Sequence, residues 1–402
     1  MDDPTAGLDR RAGRRLLDEL APLEQKWGEI IETGRQMVLS NLAMLAEVPA
    51  QTFHERDRAA LILDRYAATP LHEPRVDEMD NVIGTLRGAK GSRRILVFAH
   101  MDHQFPNSVN QNTTITQDRA IGMGVAEDTL ALATLITLPD IIDNLDIPFH
   151  NDIVLVATTR SHGRGDFAGI RHFTEEHNRQ IHYSVNLDGL SLGKINYFSL
   201  SRVRCDIGCE INAPQSSPWG KITNTSAIMI INEVINSIYN IAVPRQPKTV
   251  LNIGMLSGGE RYSTVSTRAA VRLQVLSEND EITERIIEEL HDRCVDVGAK
   301  HGVEVTSEFF GRHFAGGLRY SHPMVKSTAA IVRHLGYQPV VEYSNAELAV
   351  PIAHGIPSVN IGITTGMITG RTQGYIDIPP IPTGILQLIM LLYGIDRGFC
   401  DE

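Results

Sequence analysis

The residues most able to do chemistry begin at His100-Met101-Asp102. They close a short apolar run, Arg94-Ile95-Leu96-Val97-Phe98-Ala99, which reads as a buried strand. An imidazole there can bind a metal, and a carboxylate two residues on can orient the ring. A lone histidine at a strand end is more often structural than a ligand, so the case depends on further groups. Asp128 stands 28 positions on, after Gly122-Met123-Gly124, where its plainest role is a first-turn acid on a helix. Arg160-Ser161-His162 follows a second buried-type run, Asp152–Thr159. Asp188 ends a third, His182–Asp188. Open α/β sheets place ligands outside the carboxyl ends of their strands, so these places are expected to converge on one rim.

The elements that must hold them follow from periodicity. Residues 8–48 and 52–67 repeat apolar side chains at helical spacing. Strand, loop and helix then alternate through residue 189, with a helix from Thr129 to Ile142. Gly122-Met123-Gly124 lacks the third glycine of a dinucleotide fingerprint and the Gly-Lys-Ser/Thr of a phosphate loop, so it reads as a tight turn opening that helix. Between residues 206 and 315 the order becomes β-α-β-β-α, which reads as a small α+β domain set into the larger one. The α/β style returns after it, ending in the strand Gly355–Gly362 and a helix over Pro382–Tyr393. The expectation is a mixed, largely parallel sheet flanked by helices, built from residues 1–205 and 316–402.

At 402 residues the chain calls for more than one core. A net charge of −11 argues against a nucleic-acid partner, and no apolar run is long enough to span a membrane. None of the four cysteines forms a Cys-x-x-Cys pair, which argues against a zinc ribbon. Their small number, with no signal-peptide layout at the start, gives the cytoplasm as the expected location.

Taken in order, the motifs resemble the M20 family of co-catalytic zinc peptidases and amidohydrolases, in its tripeptidase and carboxypeptidase branches. Asp80-Asn81-Val82-Ile83-Gly84 is similar to the family's strand entry, and Ala99-His100-Met101-Asp102 to its Gly-His-x-Asp. Gly122–Asp128 is similar to its Gly-x-Gly-x-x-Asp-Asp segment, Gly258-Gly259 to the glycine pair of its lid, and Gly355-Ile356-Pro357 to its last strand. The resemblance implies a zinc ion on His100, Asp128 and Asp188, with a fourth position open, and Asp102 as the acid orienting His100. It also implies a small peptide- or amino-acid-like substrate. The inserted domain would serve as lid and as the face of a homodimer.

The chain departs from the family where a second metal would sit. The Glu-Glu pair expected after the second strand is replaced by Arg160-Ser161-His162. Glu175-Glu176 is too close to Asp188 to substitute and reads as a solvated helix face. No histidine occupies the segment Thr369–Asp377, and the lid segment Ser216–Gly220 lacks one as well. The lid asparagine corresponds to Ser263, and Leu276 replaces a substrate-binding arginine.

Three readings follow. One is a single-metal hydrolase of amide bonds, with His162 as base or replacement ligand and His103 and Asp166 as further candidates. Another is acyl transfer or cyclisation, with Arg160 and Arg371 holding a carboxylate or phosphate where metal ligands were lost. The third is an inactive binding protein on the same scaffold.

Overall fold

The computed structural model describes residues 10–109, 111–212, 226–262, 264–344, 347–369 and 373–402. The chain opens with a long helix, α1 (Arg10–Ala46), and α2 (Arg56–Ala67). Then come β1 (His72–Val76), β2 (Val82–Leu86), β3 (Arg94–His100), β4 (Thr114–Ile115) and β5 (Arg119–Met123). A distorted turn, Val125–Thr129, leads into α3 (Leu130–Asn144). Next are β6 (Asp152–Thr158), α4 (Ala168–His177), β7 (Tyr183–Asp188) and β8 (Lys194–Ser199). The middle segment holds β9 (Ser201–Glu210), α5 (Ala227–Ile238), β10 (Thr249–Gly258), β11 (Arg268–Ser277), α6 (Asp280–His301) and β12 (Val305–His313). The chain continues through β13 (Gly316–Gly317), α7 (Pro323–His334), β14 (Val340–Ser344), α8 (Ala349–Ala353), β15 (Ser358–Gly362), β16 (Gly366–Thr369), β17 (Gln373–Asp377) and α9 (Ile381–Asp396).

Two compact units result. The segment Leu200–Gly316 forms one, and the two flanking segments form the other. β9 runs unbroken past residue 205, because its ten residues pair in register with β11 from Ser201↔Ser277 to Glu210↔Arg268. The second unit is a four-stranded antiparallel sheet, β10-β11-β9-β12, whose core includes residues of α5 and α6.

In the larger unit a nine-stranded sheet has the order β1-β2-β6-β3-β7-β15-β8-β13, with β14 beside β8. β6, β3, β7 and β15 are mutually parallel neighbours. Buried strands covered on both faces show as unbroken apolar runs, and β3 and β6 are of this kind. Successive side chains alternate between faces. Ile95, Val97 and Ala99 of β3 join the core that also holds α1, α3, α7 and α9 side chains. Leu96 and Phe98 join the smaller core with Ile170 and Phe173 of α4 and Val350 of α8. α1 contributes Leu16, Leu20, Trp27, Ile31, Val38, Leu42 and Leu45 to the first core, at helical spacing.

One expectation needs correcting. Arg119–Met123 is a strand, not part of a turn opening a helix. It pairs antiparallel with β17, from Met123↔Gln373 to Arg119↔Asp377, in a small sheet β16-β17-β5-β4. Its alternation of exposed and buried residues has the period of a strand. Glu175 and Glu176 are exposed on α4, as a solvated face requires. All four cysteines are free and buried, and among the described residues no helix is long and apolar enough to cross a membrane.

Candidate metal centre

Parallel pairing aligns the ends of three strands. His100 at the end of β3 sits opposite Thr158 at the end of β6, and β7 lies on the other side of β3. The imidazole of His100 is held from one side and open on the other. Its Nδ1 lies 3.0 Å from the backbone oxygen of Asp102 and 3.5 Å from that residue's Oδ1. This places a proton on Nδ1 and turns Nε2 toward Asp128, 3.9 Å from its Oδ2.

Asp128 reaches that position through irregular backbone. Glu127 and Asp128 leave helical φ and ψ inside the turn Val125–Thr129, so Asp128 is not a first-turn helix acid. Its Oδ1 accepts the Gly189 N–H at 2.6 Å, and a Cβ on Gly189 would lie 2.8 Å from that oxygen. Only glycine allows that approach after β7. Asp188, at the end of β7, lies near enough for its charge to raise the pKa of Asp128.

The electrostatics favour a cation. Burial raises the pKa of Asp128 well above the carboxylate range, and Asp188 raises it further. Burial raises Asp188 as well. For His100 burial acts downward, but the Asp102 hydrogen bond and the charges of Asp128 and Asp102 outweigh it, and its pKa is pushed up to about 10. One imidazole oriented through Nδ1, beside buried Asp128 and half-buried Asp188, is a donor set suited to a divalent ion such as zinc.

Asp102 has a different task. Its Oδ2 accepts the Thr52 hydroxyl at 2.7 Å, the Ser161 N–H at 3.0 Å and the His162 N–H at 3.2 Å. Its Oδ1 accepts the Ser161 N–H at 3.1 Å. Burial would raise this carboxyl, but the hydrogen bond and charge of His100 outweigh it and hold the pKa well below the usual range. With its oxygens engaged, Asp102 positions its neighbours.

His162 packs edge-on against His100, with ring centroids 4.8 Å apart and planes at 87°. Gln104 Nε2 donates to its Nδ1 at 3.2 Å, so the neutral ring carries its proton on Nε2. Among the described residues, one compact group of candidate ligands occurs: His100, Asp102 and His162, with donor atoms within 4.8 Å of one another. Asp128 and Asp188 stand outside that group. A small cleft beside His162 is lined in part by Gln104, Phe105, Glu127 and Ile368.

The remaining candidates have other partners. Arg160 has its guanidinium 3.5 Å from the Met79 sulfur. His103 is buried, stacks on Phe105 at 3.7 Å and accepts the Ala50 N–H on Nε2 at 2.9 Å. Burial and the Arg58 charge lower its pKa to about 4, so it is a neutral structural ring. Asp166 pairs with Arg171 at 3.1 Å. Arg371, Ser263 and Ser216–Gly220 lie outside the described residues.

Three acids near the centre escaped the sequence reading. Glu127 is exposed and lines the cleft; its signal was its place immediately before Asp128. Glu55 accepts the Arg160 N–H at 2.9 Å. Glu347, 2% exposed, accepts the hydroxyls of Thr158 at 2.8 Å and Ser161 at 2.6 Å. Neither Glu55 nor Glu347 belongs to a strand-end motif.

No family model matches the sequence, and no curated protein matches it. Solved structures do. The dipeptidase Dug1p of Saccharomyces cerevisiae superposes with a TM-score of 0.77 at 11% identity, over 93% of this chain and 98% of that one. A tripeptidase of Staphylococcus aureus gives 0.72 at 16%, over 90% and 99%. A dinuclear metal-binding peptidase of the M20 family from Bacillus subtilis gives 0.63 at 14%, over 91% and 99%. At these identities the likeness shows the fold, which is that of the M20 metallopeptidases.

Proposed function

We propose that this chain, with its M20 peptidase fold, is a metal-dependent hydrolase. Its reaction is cleavage of an amide bond in a small peptide- or amino-acid-like substrate. The neighbours of the same fold are described as peptidases of di- and tripeptides. The observation that carries the reading is the His100 ring, with Nδ1 held by Asp102 and Nε2 presented toward Asp128. His100, Asp128 and Asp188 would hold one zinc ion, which supplies Lewis acidity for attack on a carbonyl.

The chain's own residues do the rest. Asp102 orients the His100 ring and anchors the His162 loop. Hydrolysis breaks the C–N bond, adds hydroxyl from water to the carbonyl carbon and places the remaining proton on the leaving nitrogen. His162, half-buried beside the cleft, is the ring proposed to take that proton from the attacking water, becoming imidazolium, and to pass it to the leaving nitrogen. Arg160 and Arg371 are proposed to meet an anionic end of the substrate.

The test is a panel of dipeptides, tripeptides and acyl-amino acids, with free or amide-capped carboxyl ends, on zinc-loaded protein. Turnover is expected, abolished by chelation and restored by zinc. His162→Gln should lower kcat by about 10²–10⁴-fold with zinc still bound. No turnover by fully metallated protein contradicts hydrolysis, and equal KM for free and capped ends contradicts the arginine contact.

A homodimer through the second unit belongs to the same proposal. On α5 Ile228 and Met229 are exposed, and on the edge strand β10 so are Met255 and Leu256. Unpaired edges and apolar patches of this kind are usually covered. Light scattering is expected to give twice the chain mass; the mass of a single chain contradicts this.

A further inference from the structure

Beyond the metal ligands, three buried carboxyl groups converge on the short loop that follows β6. They come from three separate parts of the chain. Glu55, at the start of α2, takes the N–H of Arg160 at 2.9 Å. Asp102, after β3, takes the N–H groups of Ser161 and His162 at 3.0 Å and 3.2 Å. Glu347, just before α8, takes the Ser161 hydroxyl at 2.6 Å and holds Thr158 by its hydroxyl at 2.8 Å. Asn81 Oδ1 takes the N–H of Thr159 at 3.0 Å. The loop pays for this grip in backbone strain, since Arg160 is a non-glycine residue at φ +55. Such a conformation persists where the surroundings over-determine it.

We infer that Glu347 is a positioning residue: with Asp102 and Glu55 it fixes the loop so that the His162 ring stands edge-on to His100. The inference rests on the reading of His100 and His162 as the reaction centre. Two features single out Glu347 within the cradle. It is the group that ties the loop, through Ser161, to the end of β6, through Thr158, on the strand that pairs with His100. It also lies near enough to His100 and Asp102 for their charges to act on it, while burial raises its pKa to about 7. A carboxyl of that kind can hold two hydroxyl donors whether or not it carries a proton, because one oxygen accepts in either state.

The test reads the ring itself. In the full chain labelled with nitrogen-15 histidine, the His162 ring resonances are assigned by their loss in His162→Gln. Wild type is expected to show a single locked tautomer, with the proton on Nε2. Glu347→Ala and Ser161→Ala should each move those resonances toward the averaged values of a solvent-exposed imidazole, and Glu347→Gln should restore most of the wild-type pattern. A role confined to general stability would lower the melting temperature and leave the His162 resonances in place. That result, in folded Glu347→Ala or Ser161→Ala protein, overturns the inference. If Glu347→Ala does not fold, Ser161→Ala decides alone, because it removes one buried hydroxyl and little else. The resonances are read without zinc or substrate, so failure of the hydrolase reading and failure of this inference are separate results.

Discussion

Asp102→Asn is expected to destabilise the protein by about 2–4 kcal/mol, although the side chain hardly changes shape. The carboxylate is fully buried and takes the Thr52 hydroxyl and the N–H groups of Ser161 and His162. An amide in its place has one acceptor oxygen, and its NH₂ must oppose a backbone donor or the Nδ1–H of His100. A buried N–H left unpaired costs its desolvation in full, and bonds to a charged acceptor are the stronger kind. The pH dependence follows from the direction of the shift. The folded-state pKa of Asp102 is depressed, so its contribution is fully present above the ordinary value near 3.9 and is lost as pH falls through the folded value. Urea unfolding of wild type and variant should therefore show a gap at pH 7 that narrows below about pH 4. A gap unchanged across that range would mean the carboxylate's charge is not what holds the loop. Zinc affinity should fall about 10–100-fold, the usual cost of losing a group that orients a metal-binding histidine.

His100→Ala carries the larger functional effect. It removes the imidazole whose Nε2 faces Asp128, and with it the positive charge that offsets the raised pKa values of Asp128 and Asp188. Zinc binding is expected to fall below detection and turnover to vanish with it. His103→Asn is the matched control. His103 lies three residues away, but its Nε2 is occupied by the Ala50 N–H and its ring is stacked on Phe105. That variant should keep its zinc. Equal zinc content in wild type and His100→Ala would remove His100 from the site.

The strand ends were the legible part of this chain. β3, β6 and β7 are buried parallel strands, so their sequences are short apolar runs whose ends mark a rim. The motif order also carried the fold. What was not legible is what approaches from other directions. Glu347 follows β14, which is parallel to β8, and β8 is antiparallel to β15. A strand-end rule would send that acid to the opposite rim. It arrives instead beside α8, on the face that Val154, Val156 and Thr158 of β6 share. Glu55 sits at the N-cap of α2 without capping it through its side chain, so helix chemistry gives no hint of its bond to Arg160. β5 was concealed by Gly122 and Gly124, whose spacing suggests a turn before a helix. Its partner strand lies some 250 residues away, and no local pattern announces such pairing.

The proposed centre holds one metal at His100, with the Arg160–His162 loop standing where the resemblance would put ligands of a second. Elemental analysis after zinc loading and removal of unbound ion measures it most directly. The prediction is one zinc per chain in wild type and none in His100→Ala. Two per chain in wild type, or none, would contradict it.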